Sequence, residues 1–447
     1  MMRRWDVVCG LVLPLLVACS SDDDDGNGAA MGGASSSSGG TSATGGKSGT
    51  SGGSSTGGSG DGGGASGTVT WAEDIAPLVF RECIACHRDG GIGPFALTDY
   101  ETAFAMSLGM ATATREREMP PMPVDNSGSC NTFENARWLT DDEIDLFQAW
   151  VDAGAPEGDP ALTPELPPPP EGLTGVDVTV SPSEDYVPNA ALSDDYRCFL
   201  VEPGLSATRF IVAYEVIPGD SREVHHAILF APKDAAAQAE AEAKDAAESG
   251  LGYTCFGGTG VDAEPRALWA PGVEVVTLPA GTGLPLAAGR KLILQIHYNT
   301  HAGAFPDRTT VRMRTAPTVA KAAKYQPVAD QDMNVAPGQE LGVTSAVHQV
   351  TPQPVIVYGA APHMHTLGRT LRVDMGTNAG SRCLVNVDRW DFHWQNAWWY
   401  TTPIQVQQLT GLTISCGYDT TSRTTPVVWG EGTDDEMCLS YLYMTGP

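Results

Sequence analysis

The sequence predicts a multidomain chain: a small all-α domain followed by two antiparallel β-sandwich domains of jelly-roll-like type. Three observations carry this. Residues 20–67 are nearly all Gly, Ser, Ala, Thr and Asp, with nothing to bury, and read as a disordered tether. Helix-start and helix-stop signals fill residues 68–158. From residue 173 the pattern changes to short β-branched and aromatic runs broken by Pro and Gly, as in all-β sandwiches. The 447 residues suffice for about three domains of ordinary size.

Arg3 and Arg4 give a positive start, and residues 7–16 form an apolar core too short to span a bilayer. Leu16-Val17-Ala18-Cys19 resembles a bacterial lipobox, so residues 1–18 are expected to be a signal peptide and Cys19 the lipidated first residue of the mature chain. Ser20 after it resembles the outer-membrane sorting pattern. The expected location is therefore extracytoplasmic, lipid-anchored to a membrane, in the periplasm or at the outer membrane, where disulfides are allowed. The net charge of -28 argues against a nucleic-acid partner.

Cys83-Ile84-Ala85-Cys86-His87 has the spacing of a c-type haem attachment site. Two thiols at this spacing can add to the haem vinyl groups, and the adjacent histidine can ligate the iron. Asp74 can cap a short helix running into the motif, with Pro77 tolerated in its first turn. Thr140 and Glu143 form a capping box ahead of Ile144, Phe147, Trp150 and Val151, and Gly154 and Pro156 stop that helix. Residues 68–158 thus resemble a small cytochrome c domain carrying one covalent haem. Met119 is the expected distal ligand, with Met122 as the alternative, although methionines are often core filler. Cys130 has no evident partner inside this domain.

Residues 159–173 read as a semi-rigid linker, with six prolines between positions 160 and 170. Beyond it, residues 234–249 have helix propensity and end at Gly250, an expected insertion. His225-His226 lies in an apolar run; adjacent strand residues face opposite ways, so one metal could take both only at a bulge or a strand end. Ile293, Gln295 and His297 share a strand face. His363 and His365 follow the run Val355-Ile356-Val357-Tyr358, and residues i and i+2 of a strand point the same way. Met437 is expected to begin the last strand, with Leu439, Tyr441 and Tyr443 on its face. Singly, a histidine pair, a strand histidine or a strand methionine is more often structural than a ligand. Taken together, three imidazoles in one set and two imidazoles with a thioether in another suit copper better than zinc.

The order His225-His226, His297, His363-x-His365, then Met437 directly before Cys438, resembles the copper type II, ascorbate-dependent monooxygenases. The local matches are Val224-His225-His226, Leu294-Gln295-Ile296-His297-Tyr298, His363-x-His365-x-Leu367-Gly368 and Asp434-Asp435-Glu436-Met437-Cys438. The resemblance implies two copper ions. His225, His226 and His297 would hold an electron-transfer copper in a first sandwich, residues 174–317. His363, His365 and Met437 would hold the oxygen-activating copper in a second, residues 318–447. It further implies hydroxylation of a C–H bond of a small organic substrate by O2, with ascorbate or a redox donor protein as reductant. It pairs Cys198 with Cys255 and Cys416 with Cys438, leaving Cys130 and Cys383 to bond each other or stay free. Tyr441 keeps the family's aromatic near the methionine. Ala361 replaces the arginine that holds a substrate carboxylate in peptidylglycine hydroxylases, which argues against that substrate. The fused haem is expected to feed electrons to the His225–His226 copper. The alternative is a haem and copper protein that carries electrons or binds copper without turnover.

Overall fold

The computed structural model describes residues 67–447 apart from 92, 122–123, 256–257, 350–352, 378–379, 409 and 431–434. The expected signal, Cys19 and nearly all of the tether lie outside those residues, as does Met122.

The helical unit begins earlier than the sequence suggested. Thr70 caps the turn Trp71–Ile75, which runs into the helix Ala76–Glu82 with Pro77 in its first turn. Asp74 does not cap this helix; its carboxylate accepts the Thr70 N–H at 2.8 Å, reciprocating the Thr70 cap. Asp99 caps Tyr100–Arg115. Thr140 and Glu143 make the expected capping box on Asp141–Asp152. Trp71, Ile75, Val79, Phe147 and Trp150 meet in the core between these elements.

Two sandwiches follow, and they share a sheet. The first sandwich has an outer sheet ordered Tyr253–Thr254, Asp194–Val201, Leu292–Asn299, Val224–Pro232, Ala263–Trp269. The second has an outer sheet ordered Gly342–Gln349, Gly411–Tyr418, Gly368–Thr377, Gly380–Val387. Behind both runs one nine-stranded sheet, eight strands on one path and the short strand Val276–Thr277 paired beside it to Arg209–Ile217. Its path is Val178–Val180, Thr310–Ala316, Arg209–Ile217, Thr282–Leu286, then Lys321–Ala329, Leu439–Thr445, Val355–His363 and Trp398–Val406. The first four strands of this path back the first sandwich and the last two the second, while Lys321–Ala329 and Leu439–Thr445 give side chains to both cores. Alternation marks the faces: Thr310–Ala316 buries Val311, Met313 and Thr315 and turns the others outward. The helix Ala235–Ala247 buries Ala237 and Ala241; Ala241 packs in a small cluster with Phe230, Ile293 and the Cys198–Cys255 bridge.

The helical unit is not self-contained. Val124 pairs with Val387 and Phe133 with Tyr400, and both side chains are buried in the core of the second sandwich. The Asn131 amide donates to the Cys383 and Leu384 carbonyls at 3.0 and 2.7 Å. Cys130 and Cys383 form a disulfide, which decides between the two fates left open for them. Cys416 is bonded to Cys438.

Phe133 fills second-sandwich core from a distant part of the chain, so Phe133→Ala should leave a cavity costing about 3–5 kcal/mol. Calorimetry should show the main β transition falling in temperature; a shift confined to a separate helical transition would contradict this packing.

Candidate metal centres

The strand Val224–Pro232 slips register against Leu292–Asn299 between Val224 and His226. That irregularity meets the condition set by adjacent histidines, since a bulge turns neighbouring side chains to one side. His226 Nδ1 stands 3.4 Å from His225 Nδ1 and 3.4 Å from His297 Nδ1. One ligand atom from each ring lies within 4.8 Å of the others. The Asp194 carboxylate takes the other nitrogen of His297, Nε2, at 2.8 Å, which fixes the tautomer and aims Nδ1 at the cluster. Tyr196 stacks on the His297 ring at 4.1 Å. His225 Nε2 is buried without a hydrogen-bond partner. Burial, with His297 adding to it, pushes the His225 imidazole down to about 3. Burial also holds His226 and His297 below the ordinary histidine value, Asp194 opposing the shift at His297.

At the second set, the strand Val355–His363 ends on His363, and His365 stands in the turn beyond it. The alternation nevertheless continues, because Met364 between them is fully buried in the core. The two rings lie 5.2 Å apart. Glu436 replaces the strand ladder here. Its carboxylate accepts the His365 N–H at 2.9 Å and the Leu367 N–H at 2.6 Å. Burial raises the Glu436 carboxyl to about 7 against the pull of those N–H groups. Gln395 Oε1 accepts from His363 Nδ1 at 2.6 Å, and the Asp435 carbonyl accepts from His365 Nδ1 at 3.1 Å. With Nδ1 engaged in both rings, Nε2 is the nitrogen that would meet a metal. Burial, then the neighbouring His365, pushes His363 down to about 3.

Met437 lies just ahead of the strand Leu439–Thr445 rather than opening it. It packs with Ala329, Leu439, Trp429 and Tyr441, and its carbonyl accepts the Tyr418 hydroxyl at 2.9 Å. The Cys416–Cys438 bridge fixes the neighbouring residue.

A cavity of about 680 Å³ is lined by His226 from the first set and by His363, His365, Met437 and Tyr441 from the second. Phe392 stands between the sets: its ring lies 4.8 Å from His225 and 6.0 Å from His365. Asp194, Glu436, Phe392 and Gln395 were not singled out by sequence reasoning. Glu436 had a signal, an acid directly before a ligand candidate. Phe392 and Gln395 sit in an irregular loop that no periodicity marks.

In the helical unit, His87 Nδ1 donates to the Phe95 carbonyl at 3.0 Å, which orients the ring as a metal-ligating histidine requires. Cys83 and Cys86 are outside any disulfide. A second cavity, of about 290 Å³, is lined by Cys86 and Pro121 together with Trp394 and Trp399. Met119 is half-buried, its N–H bonded to the Ala113 carbonyl, and Pro121 brings its loop to that cavity.

Residues 326–445 match the family model of the copper type II ascorbate-dependent monooxygenase C-terminal domain. The chain is 25% identical to a tyramine beta-hydroxylase of Caenorhabditis briggsae, over 59% of this chain and 47% of the relative. It is 24% identical to a dopamine beta-hydroxylase of Rattus norvegicus, over 56% of this chain and 43% of the relative. A DBH-like monooxygenase protein 1 of Gallus gallus is 25% identical over 39% of this chain and 32% of the relative. The chain thus spans less than half the length of the curated relatives it matches.

His225 and His363 stay neutral in the folded, metal-free chain far below the ordinary unfolded value. Below that value, near 6.5, the unfolded chain takes up protons that the folded chain refuses. Stability of the metal-free protein should therefore be full above about pH 6.5 and fall steadily toward pH 3. Thermal unfolding across that window checks this. His225→Gln with His363→Gln should flatten the profile, and an unchanged slope in that double variant would contradict the assignment.

Proposed function

We propose that the protein is a copper-dependent monooxygenase that hydroxylates a C–H bond of a small organic substrate with O2. The observation that carries this reading is a pair of preoriented donor sets at one cavity. His225, His226 and His297 would hold one copper ion, and His363, His365 and Met437 the other. The donors fit the metal. Neutral imidazoles accept either oxidation state, and a thioether favours Cu(I). The converging Nδ1 atoms can offer one lone pair from each ring, which a cation would satisfy. Bound copper supplies one-electron redox chemistry and O2 activation.

The protein's own residues do the rest. Asp194, Gln395 and the Asp435 carbonyl fix which nitrogen His297, His363 and His365 present. Glu436 holds the turn that carries His365. Ala329, Ala361, Trp429, Leu439 and Tyr441 give the cavity an apolar wall beside Met437. Among the described residues lining it there is no Lys or Arg, so a substrate carboxylate finds no cationic anchor. Glu240 and Asp262 are the carboxylates of the lining, so a neutral or cationic organic substrate suits it better than an anion.

Cys83, Cys86 and His87 would carry one haem c, with Met119 as distal ligand, and the haem or external ascorbate would supply electrons. A lipid on Cys19 would hold the protein at a membrane outside the cytoplasm.

The purified protein should contain two copper ions and one haem per chain. His363→Ala or Met437→Ala should abolish O2 consumption coupled to product while the other copper stays bound. Turnover persisting in Met437→Ala would sink the assignment of the oxygen site, and reversible copper reduction without O2 uptake in the unmodified protein would favour a carrier.

Cys19→Ser should move the protein from the membrane fraction to the soluble fraction with its melting temperature unchanged, because the tether has nothing to bury. A variant that stays membrane-bound would argue against the lipid anchor.

A further inference from the structure

The cavity at Cys86 and the cavity at His363 share a wall. Val273, Gln395 and Asn396 line both. Gln395 reaches through it, since its Oε1 accepts from His363 Nδ1 at 2.6 Å while its Nε2 donates to the Phe392 carbonyl at 2.9 Å. Trp394 and Trp399 flank Gln395 on the Cys86 side. None of His225, His226 and His297 is among the described residues lining the Cys86 cavity.

This wall is stitched to the helical unit at both ends. The Asn135 amide donates to the Ala397 carbonyl at 2.8 Å, and its oxygen accepts the Trp399 N–H at 2.9 Å. The Glu134 N–H donates to the Trp399 carbonyl at 2.8 Å. The Cys130–Cys383 bridge makes the attachment covalent. The haem-attachment motif is therefore held against the 394–399 segment rather than left to wander on a spacer.

We propose that Gln395 is the junction through which electrons pass from the Cys83–Cys86–His87 motif to the metal position at His363. This rests on the haem and copper assignments proposed above. One electron leaves ferrous haem iron, which becomes ferric, and reduces Cu(II) held by His363, His365 and Met437 to Cu(I); no covalent bond or proton changes place. It departs from the sequence-based expectation of delivery to the His225–His226 set. The geometric reason is that a single side chain lines the Cys86 cavity and hydrogen-bonds a ligand ring of the second set. Gln395 acts as a positioning residue: its acceptor oxygen fixes the His363 ring and closes the gap between the two cavities.

The test uses the full chain with haem and copper bound. A photoreductant injects one electron into the haem anaerobically, haem absorbance follows its reoxidation, and electron paramagnetic resonance follows Cu(II). Reoxidation should be independent of protein concentration. Gln395→Leu should slow it at least about tenfold at unchanged metal content, equivalent to roughly 1.4 kcal/mol of barrier. Gln395→Glu, which keeps the acceptor, should retain fast transfer and a near-normal Cu(II) spectrum. If Gln395→Leu loses copper, the Cys130→Ser, Cys383→Ser double variant decides, because it loosens the docking without touching a ligand partner. Slower, heterogeneous transfer there supports the junction, and an unchanged rate overturns it. Wild-type speed in Gln395→Leu, or loss of transfer in His225→Ala alone, also overturns it. Absence of haem or copper from the unmodified protein would instead sink the proposed function itself.

Discussion

A short parallel pairing makes one body of the two sandwiches. Lys321 and Ala322 pair with Thr282 and Gly283, and through them the back layer of the first sandwich continues into that of the second. Thr282 also shares a buried hydrogen bond with the Tyr443 hydroxyl at 2.8 Å. Gly283 has no room for a side chain, since a Cβ there would lie 2.9 Å from the Ile211 carbonyl and from Val319. Both histidine sets depend on this seam. The first grows from the outer sheet of one sandwich, the second from the shared sheet of the other, and their common cavity exists because the seam holds the sandwiches side by side.

Five imidazoles and a thioether gathered in two sets, one on each side of a cavity that His226, His363, His365 and Met437 line, pose an electrostatic problem that the surrounding residues solve. Charged imidazoles so close together would repel and would be poorly solvated. Burial holds His225, His226, His297 and His363 below the ordinary histidine value, and neutral rings are what a metal needs. Three of the five rings are oriented by different kinds of partner: a carboxylate for His297, an amide for His363 and a backbone carbonyl for His365. Glu436 spends its lone pairs on backbone N–H groups, so it acts on the shape of a turn and not on a ring.

The parts of this architecture that were legible in the sequence are those with a period or a fixed spacing. The capping box at Thr140, the helix after Asp234 and the strands around His297 and His363 all follow from local rules. That a regular strand could not hold both His225 and His226 on one ion was also readable from side-chain alternation, and of the two ways out, a bulge and a strand end, the chain uses the bulge. What was not legible is long-range. The partners Asp194 and Gln395 come from a strand and a loop distant in sequence from the rings they orient, and no local pattern announces them. The boundary between helical unit and second sandwich was misleading for the same reason. Val124 and Phe133 look like helical-domain residues until Val387 and Tyr400 are brought to them.

The Cys130–Cys383 bridge joins residues 253 apart. A chain made from its amino terminus presents Cys130, Cys83 and Cys86 long before Cys383 exists. During that interval Cys130 meets Cys83, Cys86, Cys198 and Cys255 before its own partner, and it must stay unbonded until about half of the second sandwich has been synthesised. The segment around Val124 and Phe133 likewise exposes apolar side chains whose burial site is not yet made. Biosynthesis therefore imposes an order of events: the helical unit cannot be closed off until strands made some 250 residues later have folded.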